Sequence, residues 1–276
     1  MRKRKVMTMK SIVTVMALCI GVTLSLFAGA EADDSAMREK AMAAVRAAIP
    51  KAESDPTRPV YHFRPPAQWM SDICGAIYYK GYYHIFYLSN PFSDEGSGKN
   101  CAPWAHARSK DLVYWEELPL ALLPMKERGE RRCNSGCVAL DDNNRPMIFY
   151  TFVPSRKDAT RLGKREQWGA KPLDDDLIKW RRVNDGPLMA AGMNGVPASI
   201  KRGWSDPFVF RSDGRTFVTF KDSNGLVCEA QDKELTQWKY IGNIEGVNGE
   251  CPNFFPMQQK WVLIHSMNPP SYVVGD

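Results

Sequence analysis

Three short stretches constrain the fold more than any other feature of the chain. Asp111-Leu112-Val113-Tyr114-Trp115, Asp176-Leu177-Ile178-Lys179-Trp180 and Glu234-Leu235-Thr236-Gln237-Trp238 share one pattern of acid, leucine, two residues and tryptophan. Their tryptophans lie 65 and 58 residues apart. Each copy follows a short aromatic or β-branched run (Trp104 to Ala107, Gln167 to Ala170, Leu226 to Glu229) and precedes another (Glu116 to Leu120, Arg181 to Val183, Lys239 to Ile241). Upstream of each, a hairpin is predicted, with second strands at Tyr83 to Tyr87, Pro146 to Phe152 and Thr216 to Lys221. A four-stranded unit of about 60 residues repeated in tandem buries both of its faces only by stacking on its neighbours, and this predicts an all-β propeller.

Three acids stand at the heads of such hairpins. Asp72 precedes the run from Cys74 to Tyr87, Asp206 precedes Pro207 to Phe220, and Glu250 precedes Pro252 to His265. The first strand of a propeller blade lines the central channel, so acids heading equivalent first strands converge on one end of it. Sequence separations of 134 and 44 residues are then no obstacle to a shared site.

Ahead of the repeats the chain reads differently. Arg2, Lys3, Arg4, Lys5 and Lys10 precede an apolar run from Ile12 to Phe27 that closes in Ala28-Gly29-Ala30. A basic start, a short apolar middle and small residues at the end predict a secretory signal peptide over 1–30, hence an exported protein, secreted or periplasmic, with no membrane attachment after cleavage. Removing those five charges takes the net charge from +6 to about +1, which argues against a nucleic-acid partner. Residues 31–59 read as a solvated leader and linker with a short, weakly amphipathic helix ended by Pro50, and the folded domain is expected over 60–276.

Six cysteines follow the signal segment, at 74, 101, 133, 137, 228 and 251. Buried thiols or one disulfide are expected, and the spacing of Cys133 and Cys137 without a second close pair gives no metal site. His62, His84, His106 and His265 show no ligand spacing, no glycine-rich phosphate loop follows a strand, and no cofactor is expected.

Taken together, Trp69-Met70-Ser71-Asp72, Tyr82 to Tyr87, the run from Trp104 to Pro119, Asn134-Ser135-Gly136-Cys137, Trp204-Ser205-Asp206-Pro207 and Glu250-Cys251-Pro252 resemble glycoside hydrolase family 32, the invertase, inulinase and levanase group. The likeness runs in order from about Tyr61 to Asp276. It implies a five-bladed propeller, of which this chain holds about three and a half blades: three complete and the first hairpin of a fourth. It further implies a retaining hydrolase of β-fructofuranosides, acting on an oligo- or polysaccharide. In that role Asp72 is the nucleophile, Glu250 the acid/base and Asp206 the transition-state stabiliser. Crowded acids in an aromatic pocket are expected to keep Glu250 protonated near neutral pH. Trp69, Ser71, Trp104, Ser135 and Ser205 are the candidate substrate-binding residues, with Trp204 a further candidate for an apolar wall.

The chain also departs from the family's pattern. Ser71, Ile73 and Cys74 replace the asparagine before and the proline and asparagine after the nucleophile, Leu88 replaces a glutamine, and Ser205 replaces the arginine of Arg-Asp-Pro. Those polar groups grip the sugar in the family, and losing a buried partner costs discrimination of about 1–3 kcal/mol each. A related five-bladed arabinofuranosidase or xylosidase, and a non-catalytic carbohydrate-binding propeller, are the alternatives.

Overall fold

A computed structural model describes residues 34–96, 102–155, 163–221, 223–245, 247, 249–266 and 269–275, and the signal segment lies outside them. Among the described residues fifteen strands form four antiparallel sheets in sequence order. The first holds β1 (Trp69–Tyr79), β2 (Tyr82–Asn90), β3 (Trp104–Ser109) and β4 (Trp115–Leu122); the second β5 (Glu130–Leu140), β6 (Pro146–Pro154), β7 (Glu166–Pro172) and β8 (Trp180–Arg182). The third holds β9 (Ser205–Ser212), β10 (Arg215–Lys221), β11 (Leu226–Ala230) and β12 (Trp238–Asn243), and the fourth β13 (Glu250–Met257), β14 (Lys260–Ser266) and β15 (Ser271–Gly275). The expected strands of all three complete blades are present. The fourth blade carries a third strand, β15, where the sequence suggested only a hairpin, because Ser271 to Gly275 pair along β14 from His265 to Trp261.

Turn chemistry sets the hairpins. Lys80-Gly81 and Asp213-Gly214 adopt left-handed backbone at both central positions (φ 46° and 86°, 50° and 73°), the mirror-image turn that matches strand twist. The acid-Leu-x-x-Trp signature is a second device. Leu112, Leu177 and Leu235 all take positive φ, and the indoles of Trp115, Trp180 and Trp238 donate to their carbonyls at 3.2, 2.7 and 2.9 Å. The signature acid accepts the turn amides only in the first copy, where Asp111 takes those of Val113 and Tyr114. In the others that role falls to Asp174 and Asp232, three residues before the leucine.

The innermost strands stand in a row, β1 beside β5, β5 beside β9 and β9 beside β13. Between the first two sheets Phe86, Leu88, Trp104, Ile148, Tyr150 and Trp180 form one core; Phe149, Trp204, Val218, Phe220 and Trp238 form another between the second and third. A smaller cluster of Phe210, Phe217, Phe254 and Trp261 joins the third to the fourth. His106 is fully buried, stacked 4.1 Å from the Phe86 ring.

Residues 34–53 form a helix, α1, that runs a turn past Pro50 and is not a solvated leader. Its Ala41, with Met37 and Met42, packs on Ile85, Tyr87, Ala107 and Leu120 of the first sheet. The folded unit therefore begins well before the expected Val60. Among the described residues no helix is long and apolar enough to cross a membrane.

Candidate active site

Each innermost strand breaks register near its start. In β1 the pairing jumps between Met70 and Ile73, in β5 between Asn134 and Gly136, in β9 opposite Thr219 to Lys221, and in β13 between Glu250 and Asn253. A bulge inserts one residue and re-aims the side chains around it. The four bulges carry Ser71-Asp72, Ser135, Asp206-Pro207 and Cys251-Pro252, so repetition places the site at one end of the channel. The acids are not at equivalent steps, however. By register Asp206 corresponds to Cys251, both with positive φ (56° and 46°), and Glu250 corresponds to Ser205. In the second sheet no acid occupies the bulge. Gly136 is obligatory there, because a Cβ would lie 1.9 Å from the Phe149 carbonyl oxygen.

The bulges bring Asp72 and Asp206 together. Asp72 is exposed, and its two carboxylate oxygens accept from Ser71 Oγ at 3.0 Å and Ser135 Oγ at 2.5 Å. Asp206 is buried; its amide donates to Thr151 Oγ1 at 3.0 Å, and its Oδ2 accepts from the Cys251 amide at 3.2 Å. The Cys251 thiol lies 3.8 Å from Asp72 Oδ2 and 3.9 Å from Asp206 Oδ2. Burial first, and the neighbouring Glu250 in lesser degree, raise the proton affinity of Asp206, against the Cys251 amide, Ser205 and Lys221. Burial, then the two aspartates, push the Cys251 thiol up, so it stands between the carboxylates as a neutral group. Glu250, the first residue of β13, is exposed and ion-paired with Lys221 at the end of β10. The burial expected around Glu250 surrounds Asp206 instead. A cavity of about 320 Å³ lies along the channel, lined by Ile73 to Ala76, Ser135 to Val138, Asp206 to Phe208 and Cys251 to Asn253.

The expected sugar-binding residues divide. Ser71 and Ser135 touch Asp72 and hold its carboxylate. Ser205 is buried and hydrogen-bonds Asp206 from behind. Trp104 and Trp204 are corrected: both are fully buried, their indoles donating to the Asn134 and Arg165 carbonyls, so neither presents a face to a sugar. Their bulk fills the seams between sheets. Trp69 is half-buried at the start of β1, beside Gln68, Pro91 and the helix residues Met42 and Val45, and outside the lining of the channel cavity. Sequence reasoning missed Thr151, which holds the Asp206 amide, and Lys221. Only pairing across the β9–β10 ladder brings Lys221 opposite Ser205, and no local motif marks it.

Among the described residues no three His, Cys, Asp or Glu side chains are arranged to hold a metal ion. Cys74, Cys133, Cys137, Cys228 and Cys251 are free thiols, and Cys101 lies outside the described residues. The bulge at Ser135 changes the alternation of β5 between Cys133 and Cys137, so one thiol enters the first core and the other the second.

Three four-stranded sheets and a three-stranded one in a row, with Asp72 and Asp206 on the bulges of the inner strands, define a β-propeller. Residues 62–274 match the family model described as the glycosyl hydrolases family 32 N-terminal domain, and the chain belongs to that family. It is 32% identical over 238 residues to a fructan 6-exohydrolase of Beta vulgaris, covering 81% of this chain and 37% of that protein. It is 29% identical to a sucrose-6-phosphate hydrolase of Bacillus subtilis, covering 85% and 49%. Among solved structures it resembles fructan 1-exohydrolase IIa from Cichorium intybus, with a TM-score of 0.66 and 26% identity over 80% of this chain and 44% of that one. The chain thus spans less than half the length of these relatives.

Proposed function

We propose that the chain carries the catalytic acids of an exported, retaining glycoside hydrolase that cleaves β-fructofuranosidic bonds. The observation that carries this reading is the meeting of Asp72 and Asp206 at one thiol, with Glu250 next in sequence to that thiol. Asp72, accepting hydroxyl hydrogen bonds on both oxygens, is oriented to attack the anomeric carbon as its leaving oxygen takes a proton from Glu250. The glycosyl-enzyme ester is then opened by water, whose proton returns to Glu250, and both carboxyls are restored. Asp206 sits deepest and hydrogen-bonds sugar hydroxyls rather than reacting.

The test is hydrolysis of sucrose, inulin, levan and an aryl arabinofuranoside, beside an Asp72→Ala control. Fructose release that falls at least about a thousandfold in the control supports the reading. A folded protein that releases arabinose and no fructose supports the arabinofuranosidase alternative, and sugar binding without turnover supports a lectin-like one.

A further inference from the structure

We propose that Lys221 is the positioning residue of Glu250, holding one oxygen of its carboxyl group so that the other, which carries the proton in the first step, is presented to the glycosidic bond. The inference rests on the acid/base assignment of Glu250 and adds to it a partner from another strand. Glu250 heads β13 with its side chain 62% exposed, and a carboxyl that must meet a glycosidic oxygen at hydrogen-bond distance needs a fixed geometry. Lys221 supplies it. Its ammonium bonds Oε1 of Glu250, its own side chain is only 19% exposed, and it ends β10 directly across the ladder from Ser205.

The surroundings make this cation consequential. Asp206 on β9, Asp72 on β1 and the Cys251 thiol on β13 face the same end of the channel, with His265 of β14 behind Gly249. Among these described groups Lys221 is the cation paired with an acid of the site. Its charge also acts on Asp206, favouring the ionised form there against burial. Lys221 therefore ties the third sheet to the fourth at the site itself.

The experiment uses the whole chain and two independent readouts. In steady-state hydrolysis of sucrose, Lys221→Met is expected to lower kcat about a hundredfold with little change in KM. Lys221→Arg is expected to retain most of kcat. An unchanged kcat in Lys221→Met, or an equal loss in Lys221→Arg, overturns the proposal. The second readout is a double-mutant cycle on melting temperature with Lys221→Met and Glu250→Gln. Lys221→Met should cost about 1–3 °C in the unmutated background and clearly less in the Glu250→Gln background. An additive cycle overturns the proposal whatever the turnover. A chain that releases no fructose but shows coupling overturns the fructosidase reading and upholds the pairing.

Discussion

The two ends of the row of sheets are finished in different ways. The free face of the first sheet, carrying Ile85, Tyr87, Ala107 and Leu120, is covered by α1, while Tyr78 and Tyr83 at its margin are exposed. The fourth sheet has no such cover among the described residues: Met257, Ile264, Tyr272 and Val274 are all exposed. They are the first and the last sheet of the described row, and the outer face of such a row needs a polar or covered surface. One end solves the problem with a helix that the hydrophobic pattern barely announces. The other shows exposed apolar side chains among the described residues, the kind of surface that invites another strand or sheet.

The largest expected effect lies between the ends, at the seams both depend on. Trp238→Ala empties a fully buried position in the second core and should cost about 3–5 kcal/mol, read as a shift of the denaturant midpoint. A cost under 1 kcal/mol would mean that the sheets are held by something other than their seams. Next comes the covered end. Ala41→Asp places a charge at a fully buried point of α1 and should cost about 2–4 kcal/mol, with new binding of an apolar dye. If stability is unchanged, α1 is not a cap and the comparison collapses.

The covered end should also sense pH. Glu117 is half-buried beside α1, and that burial raises its pKa to about 7, although the Tyr87 hydroxyl donates to it at 2.6 Å. Between pH 4.5 and 7 the folded chain keeps a proton that the unfolded chain has lost. Stability is thus fully present below about pH 4.5 and is lost as pH rises through about 7. The melting temperature should fall by a few degrees across that window, and Glu117→Gln should flatten the fall. Glu130, buried in the second sheet and raised to about 7 by the same cause, contributes to the slope that remains, as do Asp206 and Glu166, both raised by burial. The smallest effect belongs to the open end: Tyr272→Ser should change stability by less than about 0.5 kcal/mol while lowering self-association in sedimentation.

The strand plan was legible because the repeat carries its own punctuation, a positive-φ leucine and a tryptophan that bonds back to it. The acids were legible through their place at the head of each hairpin and through the family resemblance. What escaped was whatever depends on pairing between distant strands. Trp104 and Trp204 carry no mark in the sequence that separates a seam from a sugar platform, since both uses call for a large aromatic ring. Lys221 becomes part of the site only through its ladder position opposite Ser205. The helix was undervalued because Met37, Ala41 and Met42 make a narrow apolar stripe, and its worth comes from the sheet beneath it rather than from its own propensity.

The bulge at Ser135 works like a frameshift written into a strand. It switches the core that the odd-numbered residues of β5 face, which is how Cys133 and Cys137 come to face opposite ways. Exchanging Ser135 for alanine removes one hydroxyl from Asp72 and leaves that frame intact. Deleting it would put Cys137, Ala139 and their neighbours on the wrong side of the sheet, and a one-residue loss at the channel would be felt along the whole of β5.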